Sequence, residues 1–176
     1  MRPTHLYAAA MLNADAPDTW TETVDHLAIT RLQSRYADIV TRRAWHELAE
    51  VFVDEMPLRL DTGTSPAREV AGAAEIGAFI DAAVQRFSFF EFIPLNTHIE
   101  LYPGGERDTA SARLWMCEVR CVADDVPGAG EWSTAFGLYR DTYRRHEGRW
   151  WFAQRDYRSL ARTGVEGAVL PFPEIG

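Results

Sequence analysis

Residues 110–160 read ASARLWMCEVRCVADDVPGAGEWSTAFGLYRDTYRRHEGRWWFAQRDYRSL, and this stretch decides the fold. Three long runs rich in β-branched and aromatic residues, Ala110–Val122, Glu131–Arg144 and Trp150–Leu160, are separated by turn chemistry. Asp124–Gly130 holds Pro127 and two glycines, and His146-Glu147-Gly148 forms the second break. Long strands joined by short breaks predict an antiparallel meander. Upstream, Asn96–Tyr102 alternates, with Ile99 and Leu101 against His98 and Glu100, and Pro103-Gly104-Gly105 is a turn.

The chain before the meander has helical period. Thr19 and Glu22 match a capping box, with the helix starting near Asp18–Thr19. Beyond them Val24, Ala28, Leu32, Tyr36 and Ile39 form an apolar stripe. A polar break at Thr41-Arg42-Arg43 leads to a second predicted helix carrying Trp45, Leu48, Ala49 and Phe52. Met56–Leu60 reads as a short strand and residues 61–70 as a loop. A third helix, from about Ala73 to Phe87, presents Ile76, Phe79, Ile80, Ala83 and Phe87 on one face. Residues 1–18 read as an irregular arm, 19–160 as one domain and 161–176 as a tail. The expected class is α+β: three N-terminal helices on a strongly curved, mostly antiparallel sheet that leaves an apolar pocket between the layers.

Bulk properties narrow the function. The 176 residues suffice for one core, and 47% apolar with 25% charged residues is a globular composition. Eighteen basic against 26 acidic residues give a net charge of −8, which disfavours a nucleic-acid partner. The six arginines between residues 139 and 160 read as the outward face of two strands. Cys117 and Cys121 are too far apart on one strand, about 13 Å, to bond to each other, and read as reduced thiols. No run approaches membrane-spanning length and no stretch reads as a signal peptide, so the expected compartment is the cytoplasm. There is no glycine-rich phosphate loop, nucleophile elbow or metal-ligand motif, so no cofactor is implied.

Four segments together resemble the SnoaL-like polyketide cyclase and dehydratase group of the NTF2-like superfamily. They are ITRLQSRYADIVTRRAWHELAEVF (29–52), GAAEIGAFI (72–80), NTHIEL (96–101) with TASARLWMCEVR from Thr109, and LYRDTYRRHEGRWWFAQRDY (138–157). The resemblance implies a cone-like fold, commonly a homodimer formed through the sheet, and a small hydrophobic ligand. It also implies, in dehydratase-like members, a Tyr and an Asp from the first helix and the turn after it, plus a His from the strand after the third helix. Tyr36 matches that Tyr. The Asp position holds Thr41, and the His position, near Phe92 to Leu95, holds no histidine. Glu118 matches an acidic position on the next strand.

The candidate residues carry two readings each. Tyr36 can hydrogen-bond a developing enolate oxygen, or be a core tyrosine whose hydroxyl needs a partner. Glu118, a carboxylate among apolar residues, can act as a general base if burial raises its pKa, or pair with Arg120. His98 can shuttle a proton or face solvent. Tyr139, Asp141 and Tyr143 share a strand face, where Asp141 can orient a catalytic group or bridge to Arg155. Asp38 should point outward. Thr41 can contact ligand or cap the second helix. Trp45, Phe52, Trp115 and Tyr139 complete the expected pocket wall. Two functions remain open: a cofactor-free lyase, cyclase or isomerase acting by proton transfer on a hydrophobic carbonyl compound, or a non-catalytic binding or dimerisation domain of the same fold.

Overall fold

A computed structural model of the protein describes residues 18–164 and 167–174; most of the predicted N-terminal arm lies outside them. Helix α1 (Thr19–Arg42) leads through a short 3-10 helix (Trp45–Glu50) to the hairpin β1 (Pro57–Asp61) and β2 (Arg68–Ala71). Helix α2 (Ala73–Val84) follows, then the long strands β3 (Phe87–Leu101), β4 (Thr109–Val122), β5 (Trp132–His146) and β6 (Arg149–Arg162). A two-residue strand β7 (Ala168–Val169) pairs with β6.

The meander is present: β3, β4, β5 and β6 pair antiparallel in succession. The strongly curved, cone-like sheet is not. The strands run in the open order β2-β1-β6-β5-β4-β3, and among the described residues no pairing joins β2 to β3. Closure requires each strand to have two neighbours and a progressive stagger. Here the four-residue β2 is too short to extend the ladder beyond β1. The sheet is also mixed, because β1 returns beside β6 in parallel, pairing Leu58 with Arg155 and Leu60 with Tyr157. The second predicted helix is a six-residue 3-10 segment lacking a side-chain cap, which leaves two α-helices rather than three.

Helix α1 is capped by Asp18, whose carboxylate accepts from the Thr21 backbone N–H at 2.7 Å, one residue before the predicted cap. It ends at Arg43 in the left-handed region (φ 58°), whose N–H closes onto the Ile39 and Val40 carbonyls. Its buried stripe, Ile29, Leu32, Tyr36, Ile39 and Val40, faces the sheet. Strand alternation gives the sheet an inner face of Ala110, Ala112, Leu114, Met116 and Glu118 on β4, and of Ala135, Gly137, Tyr139, Asp141 and Tyr143 on β5. Pro94 is accommodated because β3 is an edge strand, where a missing N–H costs no ladder bond. Among the described residues no helix is long and apolar enough to cross a membrane.

Candidate active site

Two of the polar places on the inner face bear on the site, and the two are built differently. The deeper one is an ion pair. The Arg155 guanidinium on β6 donates to both carboxylate oxygens of Asp141 on β5, at 2.8 and 3.1 Å, because register sets the two side by side. Both side chains are fully buried. The Tyr143 hydroxyl donates to the same carboxylate at 3.0 Å, and Gln33 of α1 donates to the Tyr143 oxygen at 2.9 Å. The guanidinium lies 4.0 Å from the ring centroids of Tyr36 and Tyr139 and 4.4 Å from that of Phe152. Burial pushes the Asp141 carboxyl upward, and Arg155 and the Tyr143 phenol pull it back.

On the other side of Tyr36 and Tyr139 lies a cavity of about 240 Å³. Its helical wall is Tyr36 and Val40 of α1 with Phe79, Ile80, Ala83 and Val84 of α2. The sheet contributes Phe87, Phe90 and Phe92 of β3, which gives the site its apolar character. Into this space project Glu118 and Arg120 of β4, Tyr139 of β5, and Tyr157 and Arg162 of β6. Register explains their convergence: Glu118 pairs with Phe92 and Ala135, and Tyr139 pairs with Tyr157. Ala135 and Gly137 keep β5 low beneath the space. A Cβ on Gly137 would stand 2.3 Å from the Tyr157 ring, so only glycine lets that ring lie across the strand.

The Glu118 side chain is 21% exposed, enough for a ligand to reach it, and the Arg120 Nη1 lies 3.8 Å from its Oε2, too far for a hydrogen bond. Burial raises the Glu118 pKa, against the pull of Arg120 and Arg162. Burial likewise raises the phenols: Tyr36 upward, Tyr139 well upward and Tyr157 to about 12. Arg155 and Tyr139 pull the Tyr36 phenol back against that rise. At neutral pH the phenols are therefore neutral donors beside a carboxylate able to take a proton. That combination suits removal of a proton next to a carbonyl, with the phenols steadying the oxygen on which charge develops.

The expected residues divide accordingly. Tyr36, Glu118 and Tyr139 meet at the cavity. Asp141 is brought close but is spent on Arg155, behind the two tyrosine rings. His98 is exposed on the outer face of edge strand β3, across the sheet from the cavity. Trp115 is three positions from Glu118 and so faces the other side, where it stacks on Phe172 with ring centroids 5.5 Å apart. Thr41 neither caps the next helix nor lines the cavity; its hydroxyl accepts the Phe92 backbone N–H at 3.1 Å and ties α1 to β3. The Trp45 indole donates to Asp81 at 2.9 Å and braces α2. Phe52 is buried against Tyr36 and Phe152, outside the cavity wall. Asp38 pairs with Arg42 on the surface. Arg162 and Tyr157 were missed, and Arg120 was expected only as a partner of Glu118, not as part of the cavity wall. Parity placed Arg120 beside Glu118 on one strand face, and that signal was available in the sequence. Among the described residues no group of three or more His, Cys, Asp or Glu side chains is arranged to hold a metal ion.

Fold and cavity together define a small α+β domain that offers an apolar pocket with a few polar groups. Residues 21–156 match the SnoaL-like domain, and the chain belongs to that family. No curated protein matches the chain significantly. Solved structures match at the level of fold. A proposed scytalone dehydratase from Novosphingobium aromaticivorans DSM 12444 is 20% identical, over 90% of this chain and 100% of its own, with a TM-score of 0.70. The hexachlorocyclohexane dehydrochlorinase LinA-type3 from Novosphingobium barchaimii LL02 is 16% identical, over 89% and 100%, with a TM-score of 0.70. An NTF2-like protein with a cystatin-like fold from Novosphingobium aromaticivorans is 22% identical, over 80% and 85%, with a TM-score of 0.64.

Proposed function

We propose that the protein is a lyase, cyclase or isomerase that acts by side-chain proton transfer on a small hydrophobic molecule bearing a carbonyl group. The observation that carries this reading is the convergence of Glu118 and Tyr36 on one apolar cavity, with the carboxyl pKa raised by burial. Glu118 takes the proton alpha to the carbonyl, the C–H electron pair becomes the carbon–carbon double bond of the enolate, and the carbonyl π pair moves onto the oxygen. Tyr36 and Tyr139 donate hydrogen bonds that strengthen as that oxygen becomes an enolate. Expulsion of a beta substituent then completes an elimination, and return of the proton at another carbon completes an isomerisation. Two structural neighbours named for eliminations, of water and of hydrogen chloride, support the first outcome.

The test is turnover of a panel of aromatic and polyketide-like ketones by the wild-type chain and by Glu118→Gln. The expected loss is about a hundredfold or more in kcat. The acid limb of kcat/KM in the wild type should lie above the ordinary carboxylate range, because burial raises the base. Equal turnover by both proteins eliminates Glu118 as the base.

The partner in this reading is a second copy of the chain, docked on the outer sheet face. Phe89, Trp132 and Phe136 stand exposed there, and the Phe89 and Trp132 rings touch at 5.3 Å. Light scattering should give the mass of two chains, and Trp132→Glu the mass of one. A monomeric wild type would refute the dimer.

A further inference from the structure

The cavity adjoins a second hollow of about 420 Å³, and Phe87, Arg120 and Arg162 belong to the walls of both. Arg86 lines the second hollow as well. A chain with a net charge of −8 thus gathers three arginines around one opening. The Arg86 and Arg120 guanidiniums lie 5.5 and 5.4 Å from the centre of the Phe87 ring. Two carboxylates face this group. Glu118 stands 3.8 Å from Arg120, beyond hydrogen-bond length. Glu131 lines the second hollow beside Gly128 and Gly164 and is engaged by a partner of its own. The Arg120 Nε is buried with no hydrogen-bond partner. Arg162 donates to a neutral acceptor, the Thr62 carbonyl oxygen, at 3.3 Å. A buried guanidinium N–H left unpaired costs free energy that a ligand oxygen would recover, and a carboxylate fits the fork of an arginine.

We infer that the wall shared by the two hollows is an anion subsite, and that the molecule taken into the cavity carries a carboxylate. Its apolar body occupies the space between Phe79 and Phe92, and its carboxylate pairs with Arg120 and Arg162. An inner volume of about 240 Å³ is at the small end for ligand sites, which points to a one- or two-ring acid. The inference rests on the cavity being the ligand site, as proposed above, and does not require Glu118 to be a base.

The experiment compares 2-naphthoate with its neutral methyl ester by titration calorimetry. The acid should bind at least about tenfold more tightly than the ester. Arg120→Met and Arg162→Met should each weaken the acid by about tenfold and leave the ester unchanged. Glu118→Gln should hold or tighten the acid, because Glu118 competes with it for Arg120. An ester that binds as well as the acid, no binding of either, or indifference of the acid to both arginine changes would overturn the subsite. Should one arginine variant fail to fold, the other variant and the acid–ester comparison on the unchanged chain still decide. Retained acid binding by Glu118→Gln with unaltered turnover would remove the base and leave the subsite standing.

Discussion

Two carboxylate–arginine pairs sit on the same inner sheet face, and they behave as opposites. Asp141 and Arg155 lie on neighbouring strands in register, bond through both oxygens, and have no exposed side-chain surface. Glu118 and Arg120 lie two apart on one strand, stand 3.8 Å apart, and remain 21% and 17% exposed toward open space. A cross-strand pair can close into a fork, whereas two residues apart on one strand the side chains run side by side and cannot face each other squarely. The first carboxylate is consumed in holding the core. The second stays reachable from the cavity. Tyr36 and Tyr139 separate the two pairs, each presenting a ring to Arg155 while lining the cavity.

The sharpest way to break this contrast is to remove one arginine from each pair. Arg155→Met leaves Asp141 buried without its cation and takes the support from both tyrosine rings. The expected loss is about 3–5 kcal/mol of stability, seen as a fall in Tm of about 10 °C or more in thermal melts. The double change Asp141→Leu with Arg155→Met should be more stable than Arg155→Met alone, because no uncompensated charge remains. Arg120→Met should cost less than about 1 kcal/mol, since its pair is long and partly solvated. Equal losses at Arg155 and Arg120 would erase the distinction between a structural and an available carboxylate.

Much of this architecture was legible before any coordinates, and the misses have physical causes. Strands β4 to β6 and the later part of the α1 stripe, Leu32, Tyr36 and Ile39, carry clear periods, so period located them; Val24, expected in the same stripe, is exposed, and Asp25 and Ile29 are buried there instead. The third predicted helix stops at Val84, and Phe87, expected on its apolar face, begins β3 instead; residues 88–95, rich in apolar side chains at both parities and holding Pro94, show no clean alternation and read as no element. Strand β2 sits among Ser, Pro and Gly and takes its strand form from pairing with β1, a tertiary effect. Parity alone would have separated Trp115 from Glu118, although both were expected at the pocket, but it could not say which face the helices cover. His98 illustrates the cost: it was placed opposite Ile99 correctly, and the covered face proved to be that of Ile99. The curvature expected from long strands failed because sheet closure depends on edge strands, and a four-residue edge is not visible in a run that reads as loop.

The smallest expected effect is also the most specific to Glu118. Burial raises its pKa in the folded chain above the value it has when unfolded. The folded state therefore holds this proton more tightly, and the group's favourable contribution is present below the unfolded carboxylate pKa. That contribution is lost as pH rises through the folded value. The neutral amide of the Glu118→Gln variant does not titrate, so the variant lacks this dependence. Melts of wild type and Glu118→Gln from about pH 4 to about pH 8 should thus diverge, with the variant gaining stability relative to wild type as pH rises. The arginine beside Glu118 sets the alternative: if the pull of Arg120 outweighed burial and brought the folded pKa of Glu118 below its unfolded value, the variant would lose stability relative to wild type with rising pH instead. The sign of the slope consequently reports whether burial or Arg120 dominates the Glu118 carboxyl, without any need to know the substrate.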